Sequence, residues 1–439
     1  MAVPGIAAWG AHLPRRSALK RPEPGAVAGA AAAWDEDAFT LALEAGRRAL
    51  EMHAGRGGWP VESVFIVRAG DRFEAGDRAL VTALGLGEEI RIMALPAGPD
   101  GPVDALDLAL DQVAAGSVRA ALVIGASCGA GDGDGAAAVV VGADPLVALE
   151  RRARVNLRFL WAGGPDGVLA PARHDEREVV TPGLRSAVGR ALGSHTALDH
   201  WTLSSPGGHG AARGLDLDPA GRARGPGASY APGADALLRL VDLLEVAREG
   251  DRMLAMTVGE RATAFVWQVA GALPEASSPP VTEPLDYAAY TLQQRRRDLE
   301  PARIIDAMDY VRDADRVLRH EGSRCGACAR VTLRSRTTSG TAGDLARCDA
   351  CGGDVTVVPL ARDATVRAFT RSFMTPEERD MPTTHVVCDI DDGGRIMTEV
   401  AGGEDDDVEI GTRVTLTLRR GYREHGRAIY FWKAVPHRG

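Results

Sequence analysis

Two Cys-x-x-Cys pairs constrain this sequence more than any other feature. Cys325 and Cys328 form the first pair, Cys348 and Cys351 form the second, and nineteen residues separate the two pairs. Four thiolates at this spacing can close a tetrahedral shell around one zinc ion, with each pair on a tight turn and the intervening arm folded back as a hairpin. Because all four ligands come from the protein and no position is left for water, the spacing predicts a structural zinc ribbon. Gly352 follows the second pair, where such a turn often needs a positive φ.

Two disulfides are the alternative interpretation of the same four cysteines. Structural disulfides belong mainly to secreted proteins, but the N-terminal sequence MAVPGIAAWGAHLPRR lacks the basic start and long apolar run of a signal peptide. The sequence also contains no apolar stretch near the ~20 residues that a membrane-spanning helix needs. We therefore expect zinc rather than disulfides, in a cytoplasmic protein that does not associate with a membrane.

Composition limits the number of domains and the kind of partner. The 439 residues are enough for two or three domains, and a hydrophobic content of 45% is ordinary for a chain that buries full cores. The net charge of −9 argues against a nucleic-acid backbone as the main partner. A zinc ribbon beside a small barrel can bind nucleic acid in other proteins, but this chain has no stripe of basic and aromatic residues.

Hydrophobic patterning before the cysteines alternates strands with helices. Apolar runs predict strands at 4–10, 61–67, 90–95, 119–124 and 136–141, and helical spacing predicts helices at 38–52, 79–84 and 103–115. A shorter second round predicts helices at 184–192 and 234–248 and strands at 200–203, 253–258 and 263–269. Segments 109–141 and 238–269 share one order of elements, which indicates a duplicated α/β fold with helices covering both faces of a mixed sheet.

The rest of the chain has a different pattern. Residues 274–283 form a Pro/Ser linker, and 286–318 form a charged segment with helical character. Short alternating runs then predict strands at 355–360, 365–370, 384–389, 395–400, 414–419 and 429–434. Because turn clusters separate these runs at a regular pitch, they predict a small β-barrel.

Several stretches resemble known families. The segments IAAWGAHLPR, WDEDAFTLALEAGRRAL and GDGDGAAAVVVGAD resemble parts of bacterial and archaeal hydroxymethylglutaryl-CoA synthases, and more widely of ketoacyl synthase III-like thiolase-fold enzymes. From Asp286 onward, both cysteine pairs, VVCDIDDGGRIMTEV, VEIGTRVTLTL and YFWKAV resemble the DUF35-type zinc-ribbon/OB-fold proteins associated with acyl-CoA. The resemblance implies a duplicated thiolase-like fold, layered α-β-α-β-α, followed by a helical linker, a rubredoxin-like zinc ribbon and an OB-fold barrel. The implied domain limits are 1–272, 273–320, 321–355 and 356–439.

The thiolase-fold resemblance also implies where the catalytic residues should be. These enzymes use a cysteine at a helix N-terminus, a histidine after a strand, and an Asn or His that follows a glycine. Here Pro99 has the place of the cysteine, Ser204 has that of the histidine, and Ala228 lies in the segment where the third residue is expected. The three replacements together predict that this domain does not transfer acyl groups through a cysteine.

Three other residues are weaker candidates for a rebuilt site. His209 follows Ser204 by five residues and could move in as a base, although a solvent-facing loop histidine is the alternative. Cys128 comes directly after a strand, where it is either a small buried residue or a relocated nucleophile. Asp71 is the third candidate.

Three hypotheses for function follow. The first is an oligomeric accessory or scaffold subunit of an acyl-CoA-processing complex, not catalytic alone. Its ribbon and barrel would dock on a separate thiolase-type condensing or C–C-cleaving subunit, as the resemblance implies, with acyl-CoA as a ligand. The second is an active acyltransferase, hydroxymethylglutaryl-CoA synthase-like enzyme or retro-aldolase with a rebuilt site. The third is a purely structural adaptor.

Overall fold

A computed structural model describes two compact units of the chain. The residues outside the description are 1–2, 21–27, 71–73, 131–132, 158–175, 195–196, 207–211, 213–214, 216, 224–229, 275–282, 299–313, 315, 334–346, 375–381, 403–407, 425–426 and 438–439. The first unit consists of Met1–Ala32, Asp37–Val81 and Leu86–Tyr290, and the second of Ala33–Glu36, Thr82–Gly85 and Thr291–Gly439. The four domain limits given above remain predictions.

The described part of the chain contains the following regular elements. The α-helices are α1 (Ala38–Gly55), α2 (Asp77–Ala83), α3 (Gly101–Ala114), α4 (Thr181–Leu192), α5 (Asp235–Val246) and α6 (Tyr287–Asp298). A π-helical turn spans Glu176–Val180 and a 3₁₀ turn spans Pro219–Gly221. The strands before α6 are β1 (Gly5–His12), β2 (Arg16–Ala18), β3 (Gly29–Ala31), β4 (Ser63–Ala69), β5 (Arg91–Leu95), β6 (Ala120–Ser127), β7 (Gly135–Gly142), β8 (Val147–Asn156), β9 (His200–Ser204), β10 (Arg252–Val258), β11 (Arg261–Val269) and β12 (Glu283–Leu285). The strands after α6 are β13 (Glu321–Cys325), β14 (Val331–Thr332), β15 (Val355–Pro359), β16 (Asp363–Ser372), β17 (Thr383–Ile390), β18 (Arg395–Glu399), β19 (Arg413–Glu424) and β20 (Arg427–Pro436).

A nine-stranded sheet organises the first unit, in the order β5-β4-β6-β7-β1-β8-β11-β10-β9. The sheet has two halves, which meet where β1 pairs antiparallel with β8. In the first half, β1 pairs with β7, and β7 pairs antiparallel with β6. In the second half, β8 likewise pairs with β11, and β11 pairs antiparallel with β10. Parallel strands follow outward, β4 and β5 in one half and β9 in the other. This shared order confirms the predicted duplication.

The helices of the first unit form layers with the two half-sheets. Helix α1 packs on β1, β7 and β6, and helix α4 packs on β8 and β11. Helices α3 and α5 contact each other, and α5 contacts strands of both halves, including β9, β10 and β7. One apolar core accordingly contains Phe65 and Val123 from the first half together with Met253 and Trp267 from the second. The order of layers is therefore α1, half-sheet, α3 with α5, half-sheet and α4, which confirms the predicted layered α-β-α-β-α fold.

Helix α1 begins directly after the acidic run 35–37. Of these three residues only Asp37 takes part in the helix start, as the N-cap. Its carboxylate accepts the N–H of Thr40 at 2.9 Å, and the Thr40 hydroxyl accepts the N–H of Asp37 at 3.0 Å. Asp35 and Glu36 belong to the second unit, where the Asp35 carboxylate accepts the N–H of Gly402 at 2.9 Å.

Strand β8 was not predicted from the sequence. Its residues VALERRARVN carry charges that hide the strand pattern, yet β8 lies between β1 and β11 in the sheet. The charges are accommodated by ion pairs, since Glu150 pairs with Arg252 at 2.6 Å and Arg152 pairs with Asp107 of α3. Strand β8 is therefore stabilised by pairing with β1 and β11 and by ion pairs with distant residues, none of which can be read from the residues of β8 alone.

The second unit contains a small sheet and a barrel. The small sheet has the order β14-β13-β15, and the barrel sheet has the order β18-β17-β16-β19-β20. A bridge between Val400 and Ala434 brings the two ends of the barrel sheet together, so the ring is nearly closed. The predicted strand at 355–360 is β15, which pairs with β13 in the small sheet and not with the barrel. The predicted helix at 286–318 is present as α6, and most of its remainder lies outside the described residues.

Among the helices that the structure describes, none has the length and hydropathy needed to cross a lipid bilayer.

The close packing of β6 against the N-terminal end of α5 can be tested at Gly125. A Cβ added there would lie 2.5 Å from the carbonyl oxygen of Gly233, so backbone must move. We expect Gly125→Ala to lower the free energy of unfolding by about 1–3 kcal/mol in urea titrations. Gly189→Ala in α4 is the matched control, because nothing lies within 4 Å of its added Cβ. That substitution should raise stability by about 0.5–1 kcal/mol, and equal effects of the two would contradict the packing described.

Candidate functional site

The four ribbon cysteines converge on one point of the second unit. The Sγ atoms of Cys325 and Cys351 are 3.5 Å apart, those of Cys328 and Cys348 are 3.7 Å apart, and all four lie within 4.8 Å of one another. A disulfide requires ~2.05 Å between sulfurs, so these are free thiols. Four sulfurs at ~2.3 Å from a tetrahedral zinc ion would be about 3.8 Å apart. The cluster therefore fits a metal ion such as zinc.

Backbone N–H groups favour the ionised form of one cysteine of the cluster, Cys325. The N–H groups of Ala327 and Cys328 point at the Cys325 sulfur, at 3.4 and 3.5 Å. Hydrogen bonds from Cys328 and Ala327 lower the pKa of Cys325 to about 7. At Cys351 the amide of Gly353 also lowers the pKa, but the neighbouring thiols outweigh it and raise the pKa to about 12. A metal binds cysteines as thiolates, so metal binding here would release protons.

Glycines close the turn that holds the second cysteine pair. Gly352 has a φ of 71°, which confirms the positive φ predicted after Cys351. At Gly353 an added Cβ would lie 3.1 Å from the Cys325 sulfur, so only glycine leaves room for the thiolates at this point.

In the first unit, Pro99 lies just before the N-terminus of α3, the place where the resemblance puts a catalytic cysteine. The next residue, Asp100, is the N-cap of α3, but its side chain makes no capping hydrogen bond. Instead its carboxylate accepts the N–H of Glu260 at 2.7 Å and lies 3.8 Å from the Arg261 guanidinium. Burial raises the pKa of Asp100, against the lowering effect of the Glu260 amide and of Arg261. The helix therefore begins with a half-buried carboxyl group, and no thiol is present there.

Ser204 is the last residue of β9 and is buried. Its hydroxyl donates to the carboxylate of Asp235, the first residue of α5, and Asp235 also pairs with Arg239 at 3.5 Å. Burial raises the pKa of Asp235, and Arg239 and Ser204 oppose that shift. The position where the resemblance expects a histidine thus carries a hydroxyl bound to a buried carboxyl group.

Tyr230 lies five residues before Asp235, in the loop that leads into α5. Its carbonyl oxygen accepts the N–H of Gly133 at 3.2 Å, and its ring is buried. Burial raises the pKa of the phenol well above its usual range, and the Asp235 and Asp100 carboxylates add to the shift. The three segments in which the resemblance places catalytic residues therefore come together, with Asp100, Ser204 and Tyr230 as their described polar residues.

No described contact brings Ala228 or the three weaker candidates to this site. Ala228, His209 and Asp71 lie outside the described residues. Cys128 directly follows β6 and is buried, and its backbone N–H donates to the carbonyl of Ala69 at 2.8 Å. The catalytic roles considered for these residues remain predictions.

Asp134, just before β7, is a buried carboxylate with several partners. It accepts the N–H groups of Ala32 at 2.8 Å and Gly129 at 2.7 Å, and it pairs with Lys20 at 2.5 Å. These contacts fix the backbone at Gly129 and Ala32, which the composition of the glycine-rich string did not indicate.

The sequence patterns did not single out Asp100, Tyr230 or Asp235. Asp100 stands directly after Pro99, and Asp235 lies at the start of a helix that the spacing predicted. Their role as neighbours depends on the convergence of β9, α3 and α5, which local patterns do not encode.

Solved structures similar to the chain resemble its first part. The hydroxymethylglutaryl synthase of the curacin biosynthetic pathway, in complex with apo donor-ACP, has a TM-score of 0.53 at 15% identity, over 67% of this chain and 88% of its own. PksG, a hydroxymethylglutaryl-CoA synthase from Bacillus subtilis, has a TM-score of 0.52 at 13% identity, over 70% and 92%. The acyltransferase ChlB3 has a TM-score of 0.50 at 16% identity, over 62% and 99%. The first unit has the thiolase fold.

The second unit matches a family model. Residues 357–419 match the model described as the C-terminal OB-fold domain of ChsH2. No curated protein matches the chain.

The cysteine cluster makes a direct prediction about metal content. We expect about one zinc ion per chain by elemental analysis of the purified protein. Cys325→Ser and Cys348→Ser should lose the metal and unfold the small sheet, because metal binding contributes folding free energy. Cys388→Ser is the matched control, since Cys388 is a buried free thiol of the barrel outside the cluster, and it should retain the metal. Metal-free wild-type protein with an intact ribbon would contradict the prediction.

Proposed function

We propose that the chain is an accessory or scaffold subunit of an acyl-CoA-processing complex. The observation that carries this proposal is the start of α3, where Pro99 and Asp100 occupy the place of the nucleophile. Proline can neither attack a thioester nor carry an acyl group. Ser204, bound to Asp235, cannot replace an imidazole as the base that would activate a cysteine. A separate thiolase-type condensing or C–C-cleaving subunit would supply that chemistry.

The metal in this proposal is zinc with a structural role. Four thiolate ligands suit zinc, and a shell made of four cysteines leaves no coordination position for water or substrate. The residues that would hold the ion are Cys325, Cys328, Cys348 and Cys351. The ion would fix the turns that carry β13 and β15 and so support the surface beside the barrel.

The barrel is the docking element in this proposal, together with helix α6. Several apolar side chains of the barrel are exposed, including Phe369 at 41%, Phe373 at 57% and Met397 at 79%. Exposed apolar side chains of this size mark surfaces where a partner removes them from water. The resemblance to zinc-ribbon/OB-fold proteins implies a thiolase-type subunit as that partner, with acyl-CoA as a ligand of the complex. An interface of this kind typically buries ~2,000 Å² or more.

One observation favours a second function, an active enzyme with a rebuilt site. Ser204, Asp235, Tyr230 and Asp100 form a buried polar group where thiolase-fold enzymes have their catalytic residues. Hydroxyl and carboxyl groups can perform acid–base chemistry on a thioester without a cysteine. Turnover of a CoA thioester by the purified chain alone would establish this function in place of the first.

The absence of a cysteine at α3 predicts that no acyl-enzyme forms. Intact-mass analysis after incubation with acetyl-CoA or acetoacetyl-CoA should show no adduct on the full-length chain. Pro99→Cys should not create acyl transfer, because Ser204 and not a histidine occupies the place of the base. A stable thioester on Cys128, lost in Cys128→Ser, would overturn the prediction.

Partner binding should depend on the exposed apolar residues of the barrel. We expect the full-length chain, purified from its native host, to bring with it a thiolase-type subunit that mass spectrometry identifies. Phe369→Ser combined with Phe373→Ser should reduce recovery of that subunit about tenfold or more, since central apolar contacts dominate interfaces. Val246→Ser is the matched control, being 45% exposed on α5 of the first unit. Equal recovery with the barrel variant would show that this surface is not the docking element.

A further inference from the structure

The barrel of the second unit contains a buried lysine in contact with two carboxylates. Lys433 lies on β20 and is 1% exposed, and Asp35 is 0% exposed. The Lys433 Nζ is 3.3 Å from the Asp35 carboxylate and 2.9 Å from that of Glu399 on β18. Lysine and aspartate are almost never fully buried unless they are paired. The charge of this barrel lysine is therefore balanced in part by a residue from the N-terminal part of the chain.

Lysine is itself a rare residue in this sequence, which contains 49 arginines and two lysines. Both lysines are buried in pairs with aspartates, Lys20 with Asp134 and Lys433 with Asp35. A compact ammonium group suits a narrow buried position that a planar guanidinium does not fit. The choice of residue thus agrees with a closely fitted contact at Lys433.

Asp35 belongs to a short segment, Ala33–Glu36, that is part of the second unit, whereas the residues on both sides of it are part of the first. The segment forms a tight turn. The N–H of Glu36 donates to the carbonyl of Ala33 at 3.1 Å, and the Glu36 carboxylate accepts the N–H of Ala33 at 2.9 Å. Contacts between its own first and last residues therefore give the segment a defined shape.

The barrel holds the backbone of this segment at two places. The N–H of Arg420 on β19 donates to the carbonyl of Asp35 at 2.9 Å, and the Arg420 guanidinium donates to the carbonyl of Trp34 at 3.0 Å. After β18, the N–H of Gly402 donates to the Asp35 carboxylate at 2.9 Å. A Cβ added to Gly402 would lie 2.6 Å from the indole nitrogen of Trp34, so the close approach requires glycine. The barrel thus contacts the segment as a protein contacts a bound peptide, through its main chain.

Each side chain of the sequence Trp34-Asp35-Glu36 also has a basic partner in the barrel. The Lys433 ammonium lies 4.3 Å from the centre of the Trp34 ring, a cation–π contact, and it pairs with Asp35 as well. Glu36 pairs with Arg419 of β19. Clusters of basic side chains are a recurring means of recognising acidic peptide motifs. The contacts of the barrel are therefore complementary to an aromatic residue followed by two carboxylates.

We infer that the barrel contains a binding site for an acidic peptide that begins with an aromatic residue, and that the chain's own Ala33–Glu36 occupies this site. Lys433 and Arg419 select the side chains, and Arg420 and Gly402 bind the main chain. A tethered segment has an effective concentration of ~mM, so occupation by the chain itself keeps the site closed to other peptides. This inference concerns the barrel and does not depend on the proposed accessory role.

Binding of a labelled peptide to the full-length chain tests the site. The probe is a fluorescein-labelled synthetic peptide with the sequence of residues 32–37, Ala-Ala-Trp-Asp-Glu-Asp. In the double variant Trp34→Ala, Asp35→Ala, here called the emptied variant, we expect a saturable rise in fluorescence anisotropy. The wild-type chain should give no such rise, because its own segment fills the site. Adding Lys433→Met to the emptied variant should weaken binding about tenfold or more, and so should asparagine in place of the first aspartate of the peptide, since either change breaks the buried ion pair.

Trp59→Ala combined with Asp144→Ala is the matched control. These two residues form a Trp–Asp contact of the first unit, with 3.2 Å between the indole nitrogen and the carboxylate. Their removal should not allow the peptide to bind. Failure of the emptied variant to bind, when circular dichroism shows it to be folded, would overturn the site. Equal binding by the wild-type chain and by the emptied variant would overturn it too.

Thermal unfolding decides the matter if the emptied variant does not fold. Lys433→Met alone leaves the buried carboxylate of Asp35 without its cation and should lower the unfolding temperature. Adding Asp35→Asn should raise that temperature again, because losing one member of a buried ion pair costs more than losing both charges. A double variant that unfolds at a lower temperature than Lys433→Met would overturn the site.

Discussion

The packing of α3 and α5 between the two half-sheets is the constraint on which the first unit depends. Each helix buries apolar residues against the strands, and together they bring their N-termini to the carboxyl ends of β6, β9 and β10. Burial of apolar surface, at about 25 cal/mol per Å², stabilises this layer. The same packing also determines which polar residues meet where the N-termini of α3 and α5 reach the carboxyl ends of the strands.

The residues that meet there change the chemistry that the fold can support. A helix N-terminus stabilises a thiolate, but α3 begins after Pro99 and with Asp100. Asp100 accepts the Glu260 amide, Ser204 donates to Asp235, and the Tyr230 hydroxyl is buried without a partner in the described structure. The start of α3 therefore has no sulfur that could attack a thioester. This agrees with the proposed role of an accessory subunit, in which a partner would supply the nucleophile.

The sequence predicted those features that depend on local spacing. The fixed separation of the two cysteine pairs predicted the ribbon. Apolar runs such as 136–141 predicted the paired strands, and the repeated order of elements predicted the duplicated fold. The prediction failed where distant residues decide the structure. The charges of β8 hid a strand that is stabilised by Arg252 and by Asp107 of α3, and residues 355–359 joined β13 because of a pairing across the cysteine loop. Asp235 could not be assigned to the site because its contact with Ser204 exists only after β9 and α5 have packed.

The proposed accessory role implies that catalysis requires a second subunit. The decisive measurement is turnover of a CoA thioester by the full-length chain alone and by the same chain together with the subunit recovered from its native host, with products separated by chromatography. We expect carbon–carbon bond formation or cleavage to appear only when both are present. Turnover by the chain alone, at the rate of the complex, would contradict the proposed role.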